Sequence, residues 1–162
     1  VLRLLRRHLL QLRAGTVLYV VTGPPAAGKS SWIRANAKAR DVVIDLDLMA
    51  LAMAGPGADH HQHDPTLLRI VHRARQAAIH EAERHLDSTD VYLIHTMPQA
   101  KALARYKRLG ARIVTIDPGE EIVRRRVRDM RQPEMEQVVT VWYRQAGRRT
   151  PHSVTPQASR AW

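Results

Sequence analysis

The stretch VVTGPPAAGKSS, Val20–Ser31, decides the fold. Within it GPPAAGKS, Gly23–Ser30, satisfies the pattern G-x-x-x-x-G-K-S/T, which forms a phosphate cradle when it follows a strand and opens a helix. Both flanks meet that condition. Upstream, TVLYVV (Thr16–Val21) is short, apolar and β-branched between Gly15 and Gly23, and reads as a buried strand. Downstream, KSSWIRANAKAR has helical composition and runs into a second apolar stretch, DVVIDLD. Strand, helix, strand is the parallel α/β unit. Such a loop aims backbone N–H groups and a helix N-terminus at an anion. Lys29 adds a positive charge for the β/γ-phosphates, and the Ser30 hydroxyl can ligate Mg²⁺. The nucleotide-binding candidates are Gly23, Pro24, Pro25, Ala26, Ala27, Gly28, Lys29, Ser30 and Ser31, with Gly28 allowing close backbone approach. The alternative, a chance Gly/Pro turn ahead of a helix, has the strand and helix on either side against it.

Working outward, LMALAMA suggests a short helix stopped by Gly55-Pro56-Gly57, and ADHHQHD a loop. A long amphipathic helix is expected from Pro65 to about Leu86, where Leu67, Leu68, Val71, Ala74, Ala78 and Ala82 recur at helical spacing. VYLIHT (Val91–Thr96) reads as a third strand and PQAKALARYKRLG as a helix with Pro98 near its start and Gly110 at its end. ARIVTID gives a fourth strand, and EEIVRRRVRDMR and PEMEQVVTVWYRQA two closing helices. At 162 residues this makes one domain, an α/β three-layer fold with a mainly parallel sheet of four to five strands and ligands at the strands' carboxyl ends.

The chain has no cysteine, which excludes disulfides, thiolate metal sites and cysteine nucleophiles and fits a reducing, cytoplasmic setting. The opening VLRLLRRHLLQLRAG is broken by Arg3, Arg6 and Arg7, so it offers no continuous signal-peptide core, and no run approaches a membrane span. No membrane partner is expected. Of the 26 Lys and Arg, four fall in residues 1–14 and four in residues 143–162, leaving 18 against all 15 acids between them. The net charge of +11 therefore sits largely in the ends, where it could attract nucleic acid or another polyanion. Because 22 of those bases are Arg, genomic composition bias explains the excess equally well. The expected organisation is a basic N-terminal segment (1–14), a nucleotide-binding domain (15–146) and a basic tail (147–162), polar, aperiodic and mobile.

VIDLD places Asp45 and Asp47 at the end of the second strand, and two carboxylates at i and i+2 of a regular strand share a face. Beside a phosphate loop one can hold Mg²⁺ while the other accepts a proton from a hydroxyl, and phosphoryl transfer needs little more than positioning and charge neutralisation. The competing reading makes them solvated acids, with Asp47 as N-cap of the next helix.

The ordered set GPPAAGKS, VIDLD, a third strand without a catalytic acid, and IDPGEEIVRRRVRDMR resembles the small P-loop kinases grouped around shikimate kinase, polynucleotide 5′-kinase and zeta-toxin kinases. The likeness covers roughly residues 16–146 and looks strongest to compact bacteriophage and actinobacterial members known only as ATP-binding or AAA-family proteins. It implies a P-loop NTPase fold using ATP and Mg²⁺. It also implies that Ser30 and Asp45 serve the metal, that Lys29 and Asp47 are catalytic with Asp47 serving the acceptor hydroxyl, and that Arg126 acts on the moving phosphoryl group. Arg128 and Arg131 are its candidates for a second nucleotide contact. Five Arg in the eight residues from Arg124 to Arg131 exceed any catalytic need, so most are expected to face solvent.

His95 and Thr96 stand where many P-loop ATPases carry an acid, and no N-K-x-D guanine-reading motif is present, which disfavours motors and GTPases. His60, His61, His63 and Asp64 form a loop with three readings: metal ligands, acceptor contacts, or a solvated loop, the last preferred. The functional expectation is a kinase passing the γ-phosphoryl group of a nucleoside triphosphate to a hydroxyl on a polynucleotide 5′ end, nucleoside or sugar. The alternatives are an ATPase within a larger assembly, or a nucleic-acid-associated nucleotide-binding protein without turnover.

Overall fold

The computed structural model describes residues 15–147, so the expectations for 1–14 and for 148–162 lie outside the described residues. The first strand, β1 (Leu18–Thr22), leads through the glycine loop into α1 (Lys29–Asn36) and then β2 (Val42–Ile44). Next come α2 (Leu46–Met53), α3 (Pro65–Glu83) and β3 (Val91–Ile94). The chain continues with α4 (Ala100–Arg108), β4 (Arg112–Thr115), α5 (Glu120–Met130) and α6 (Met135–Ala146). The four strands form one all-parallel sheet in the order β2-β3-β1-β4. Because the chain lays β2 and β3 on one side of β1 and β4 on the other, the topological switch falls beside β1, where an open α/β sheet makes its ligand crevice.

Alternation along the strands builds three layers. Leu18, Val20, Val91, Leu93 and Ile44 face a cluster with Ile79 and Ala82 of α3 and Tyr106 of α4. On the opposite face Val21 and Tyr92 pack with Ile33 of α1, joined by Tyr19 and Trp32. With both faces covered, central strands read as continuous apolar runs, and Val20 and Val21 are both 0% exposed. Burial of each such side chain contributes about 1.5–3 kcal/mol. A third cluster joins Ala27 of the glycine loop to Val123 and Val127 of α5 and Val139 of α6, which fixes the closing helices against the loop.

Three local expectations change. β2 stops at Ile44, so Asp45 and Asp47 do not share a strand face. Asp45, not Asp47, is the N-cap of α2: its carboxylate accepts from the Asp47 backbone N–H at 3.1 Å, and satisfying that donor starts the helix where a strand would have continued. Finally, α4 begins at Ala100 with Pro98 buried ahead of it, two residues later than the proline suggests. No helix among the described residues is long and apolar enough to cross a membrane.

Candidate active site

β1 delivers the chain into the loop at Gly23, whose φ is 139° and whose backbone packs against Ile116 so tightly that a Cβ would meet the Ile116 carbonyl oxygen at 2.1 Å. Only glycine combines that dihedral with that approach. The loop turns through Ala26 at φ 57° and Gly28 at φ 101° before α1 starts without any side-chain cap. The first-turn N–H groups of α1 are therefore not claimed by a capping side chain, the arrangement that suits an anion.

Lys29 opens α1 and is 8% exposed. Its Nζ donates to the carbonyls of Gly23 at 3.0 Å and Pro24 at 2.6 Å. Burial, and then the Arg131 charge, push its pKa down to about 8 against the opposing pull of Asp45 and Asp47. Next to it Ser30 Oγ donates to Asp45 Oδ2 at 2.8 Å, and Asp45 is itself buried. A hydroxyl and a carboxylate side by side at a phosphate loop are hard oxygen donors. Mg²⁺ takes few protein ligands of this kind and completes its shell with water and phosphate oxygens. The pair fits that ion. Among the described residues no group of three His, Asp or Glu side chains is placed to hold a metal.

Asp47, in the first turn of α2, is more open, with its side chain 37% exposed. Its Oδ2 lies 3.2 Å from an Arg131 guanidinium nitrogen and 3.1 Å from His61 Nδ1, while His63 Nε2 is 3.9 Å from Oδ1. The loop expected to be solvated thus brings two of its histidines to this carboxylate. His60 stays exposed, as do His72, His80 and His85.

The arginine cluster of α5 divides by direction. Arg126 donates to the Ala26 carbonyl at 3.3 Å and so lies over the glycine loop. Arg131 is the C-cap, with φ −135° and ψ 165°, and the extended backbone carries its side chain off the helix toward Asp47. Arg128 points elsewhere: it is 60% exposed and pairs with Glu136 of α6 at 3.8 Å. Arg124 bonds Glu120, Glu136 and Thr140, tying α5 to α6.

Sequence reasoning missed two contributors, Arg75 and α6, and named His95 only for the acid it replaces. Arg75 of α3 is 8% exposed and donates to the Ile94 carbonyl at 2.6 Å, beneath the carboxyl end of β3, where Asp45 lies close enough to favour its charge. A signal was present, since Arg75 interrupts the buried stripe Val71, Ile79, Ala82 at helical spacing. Its charge and, more strongly, burial push His95 down to about 4, and His95 Nδ1 sits 3.0 Å from the Tyr106 hydroxyl. The end of β3 is therefore neutral at His95 and cationic at Arg75. The second missed contributor is α6. Trp142 Nε1 donates to the Thr96 carbonyl at 3.2 Å, an oxygen that also accepts from Gly23 N at 3.3 Å. Tyr143 donates to Asp117 at 2.6 Å, which ties the turn before α5 to α6; burial and then this bond push the phenol pKa up.

A family model described as an AAA domain matches residues 18–152. No curated protein matches the chain. Among solved structures, a chain of the Pnkp1/Rnl/Hen1 RNA repair complex is similar with a TM-score of 0.57 and 16% identity over 90% of this chain. A chain of a Pnkp1/Rnl/Hen1 complex is similar with a TM-score of 0.49 and 17% identity over 70%. The present chain spans 51% and 40% of those two chains, about half their length or less. At such identity the likeness is one of fold.

Proposed function

The chain belongs to the AAA domain family, and from that premise we propose that it is a P-loop kinase, moving the γ-phosphoryl group of a nucleoside triphosphate to a hydroxyl acceptor. The observation that supports this reading most is the division of labour between two carboxylates at one phosphate loop. Asp45 is engaged by Ser30 and buried, whereas Asp47 is open to solvent, with an arginine and two histidines around it. A hydrolytic P-loop enzyme of the usual kind carries its acid at the end of the third strand, and that position here holds a neutral histidine above a buried arginine.

In the proposed reaction the loop amides and Lys29 grip the phosphates. Ser30 and Asp45 would hold Mg²⁺, which when bound would supply neutralisation of phosphate charge. Asp47 orients the acceptor hydroxyl for in-line attack: the acceptor oxygen bonds to the γ-phosphorus and the bond to the β-bridging oxygen breaks. The nucleoside diphosphate departs, and the hydroxyl proton passes to Asp47 and then to water. Arg126, lying on the loop, is placed to stabilise the charge on the transferred group, and Arg131 is held close by. As acceptor we favour a polynucleotide 5′-hydroxyl, supported by the net charge of +11 and by a fold shared with a chain of an RNA repair complex.

The test uses γ-labelled ATP, Mg²⁺ and separate pools of 5′-hydroxyl oligonucleotides, nucleosides and sugars. Label is expected in the oligonucleotide pool, with acceptor affinity falling steeply with salt. Asp47→Asn is expected to abolish transfer while leaving nucleotide affinity within about threefold. Release of inorganic phosphate that is indifferent to every acceptor and survives Asp47→Asn would replace this reading with an ATPase.

A further inference from the structure

His63 is a buried part of this site that the chemistry above leaves unused. Its side chain is 3% exposed, and neither ring nitrogen has a hydrogen-bond partner. A buried imidazole with both nitrogens unsatisfied is costly to retain as mere filler, because an apolar residue of similar shape would occupy the space without stranding polar atoms. The ring is also aimed: Nε2 faces Asp47 Oδ1 at 3.9 Å, about 1 Å beyond hydrogen-bond length.

The loop is built to hold it there. Asp59 Oδ1 accepts from the backbone N–H of His61 at 2.7 Å and of Gln62 at 2.8 Å, a turn that closes just before His63. Asp64 caps α3 just after it, accepting from Thr66 N at 2.7 Å and Leu67 N at 3.3 Å, with Pro65 entering the helix. His63 therefore sits between two backbone fixtures, which set the point and direction in which its side chain leaves the chain. On the other side of the carboxylate, Oδ2 is the oxygen in contact with Arg131 and the 39%-exposed His61.

We propose that His63 is a positioning residue for Asp47, an inference that rests on Asp47 being the acceptor-orienting carboxylate. When an acceptor displaces His61 and Arg131 from Oδ2, the carboxylate turns so that Oδ1 accepts a hydrogen bond from His63 Nε2–H. That bond pins one oxygen from the buried side and presents the other to the attacking hydroxyl. Misplacing a reacting group by about 1 Å is enough to cost on the order of a hundredfold in rate, which is the scale on which such a bond acts.

Two substitutions and one spectrum test this. His63→Phe keeps an aromatic ring in the space but removes the donor; His63→Gln keeps a donor near the position of Nε2. His63→Phe is expected to lower kcat for acceptor phosphorylation about 10–100-fold with the nucleotide KM unchanged, and His63→Gln to recover most of it. Wild-type kcat in His63→Phe, or no advantage of His63→Gln over His63→Phe, overturns the proposal. Should His63→Phe not fold, ¹⁵N spectra of the wild-type imidazoles decide. A proton on Nε2 whose signal moves in Asp47→Asn supports the pairing, and an unprotonated Nε2, which would turn a lone pair toward the carboxylate, refutes it. Asp47→Asn run in parallel separates the two ideas: transfer lost there but normal in His63→Phe removes only the role of His63, whereas transfer retained in Asp47→Asn removes the acceptor role of Asp47 itself.

Discussion

Nucleotide binding should take up a proton at mildly alkaline pH, and Lys29 sets the amount. In the free chain its pKa is pushed down to about 8, chiefly because the ammonium is buried with only carbonyl oxygens as partners. Polyphosphate at the loop places negative charge against that ammonium and restores its pKa to at least the ordinary 10.5. The complex then holds more protons than the free chain, so affinity falls as pH rises through 8. At pH about 8.5 the free lysine carries roughly a quarter of a proton and the complexed lysine nearly a whole one, an uptake of about 0.75; at pH about 6.5 both are charged and uptake is near zero. Between pH about 7 and 9.5 the linked loss of affinity is about 30-fold, or roughly 2 kcal/mol. Isothermal titration calorimetry in buffers of high and low ionisation enthalpy measures the uptake directly. Lys29→Arg, whose guanidinium stays charged, should flatten the pH dependence even where it weakens binding. Buffer-independent heats at pH about 8.5, or equal uptake at both pH values, would refute the reasoning.

His95 titrates in the opposite part of the pH range. Its folded pKa of about 4 lies below the ordinary 6.5, so the stability it contributes is complete above 6.5 and is lost as pH falls from 6.5 through 4. Allowing for solvent screening, that loss amounts to about 1–2 kcal/mol, and His95→Gln should make the acid limb of a urea-denaturation profile shallower. Arg75→Met should raise the His95 pKa seen by NMR without returning it to 6.5, because burial is the larger cause; an unchanged value would mean the two do not interact. Gly23→Ala should destabilise the fold by roughly 2–4 kcal/mol through the Ile116 clash and the positive φ, and a denaturation midpoint equal to wild type would contradict that packing. Arg126→Gln should lower kcat about 10²–10³-fold, whereas Arg128→Gln, which loses only an exposed contact to Glu136, should change it less than about twofold in the same steady-state assay.

What the sequence determined by itself is everything carried by short-range order. The loop is legible because Gly23, Gly28, Lys29 and Ser30 answer to local backbone geometry and to the start of one helix. The alternation of strands and helices is legible because burial on both sheet faces imposes apolar runs such as Val17–Val21 and Val91–Ile94. Even there a local competition reversed one expectation: the Asp45 carboxylate found the Asp47 amide, and a helix cap replaced the last residues of a strand. Only the tertiary structure could sort the arginines of α5. Each residue turns the helix by about 100°, so the phase of α5 against the loop, and the point where the helix ends, send Arg126 and Arg131 inward and Arg128 to Glu136. Docking also decided that Arg75, 30 residues from Asp45 in sequence, reaches the end of β3, the strand beside the one that Asp45 follows, and that His61 and His63 close on Asp47 across 14 and 16 positions. Burial and through-space charge, which lower Lys29 and leave His63 facing a carboxylate without a bond, come into being when these elements meet and have no counterpart in residue spacing.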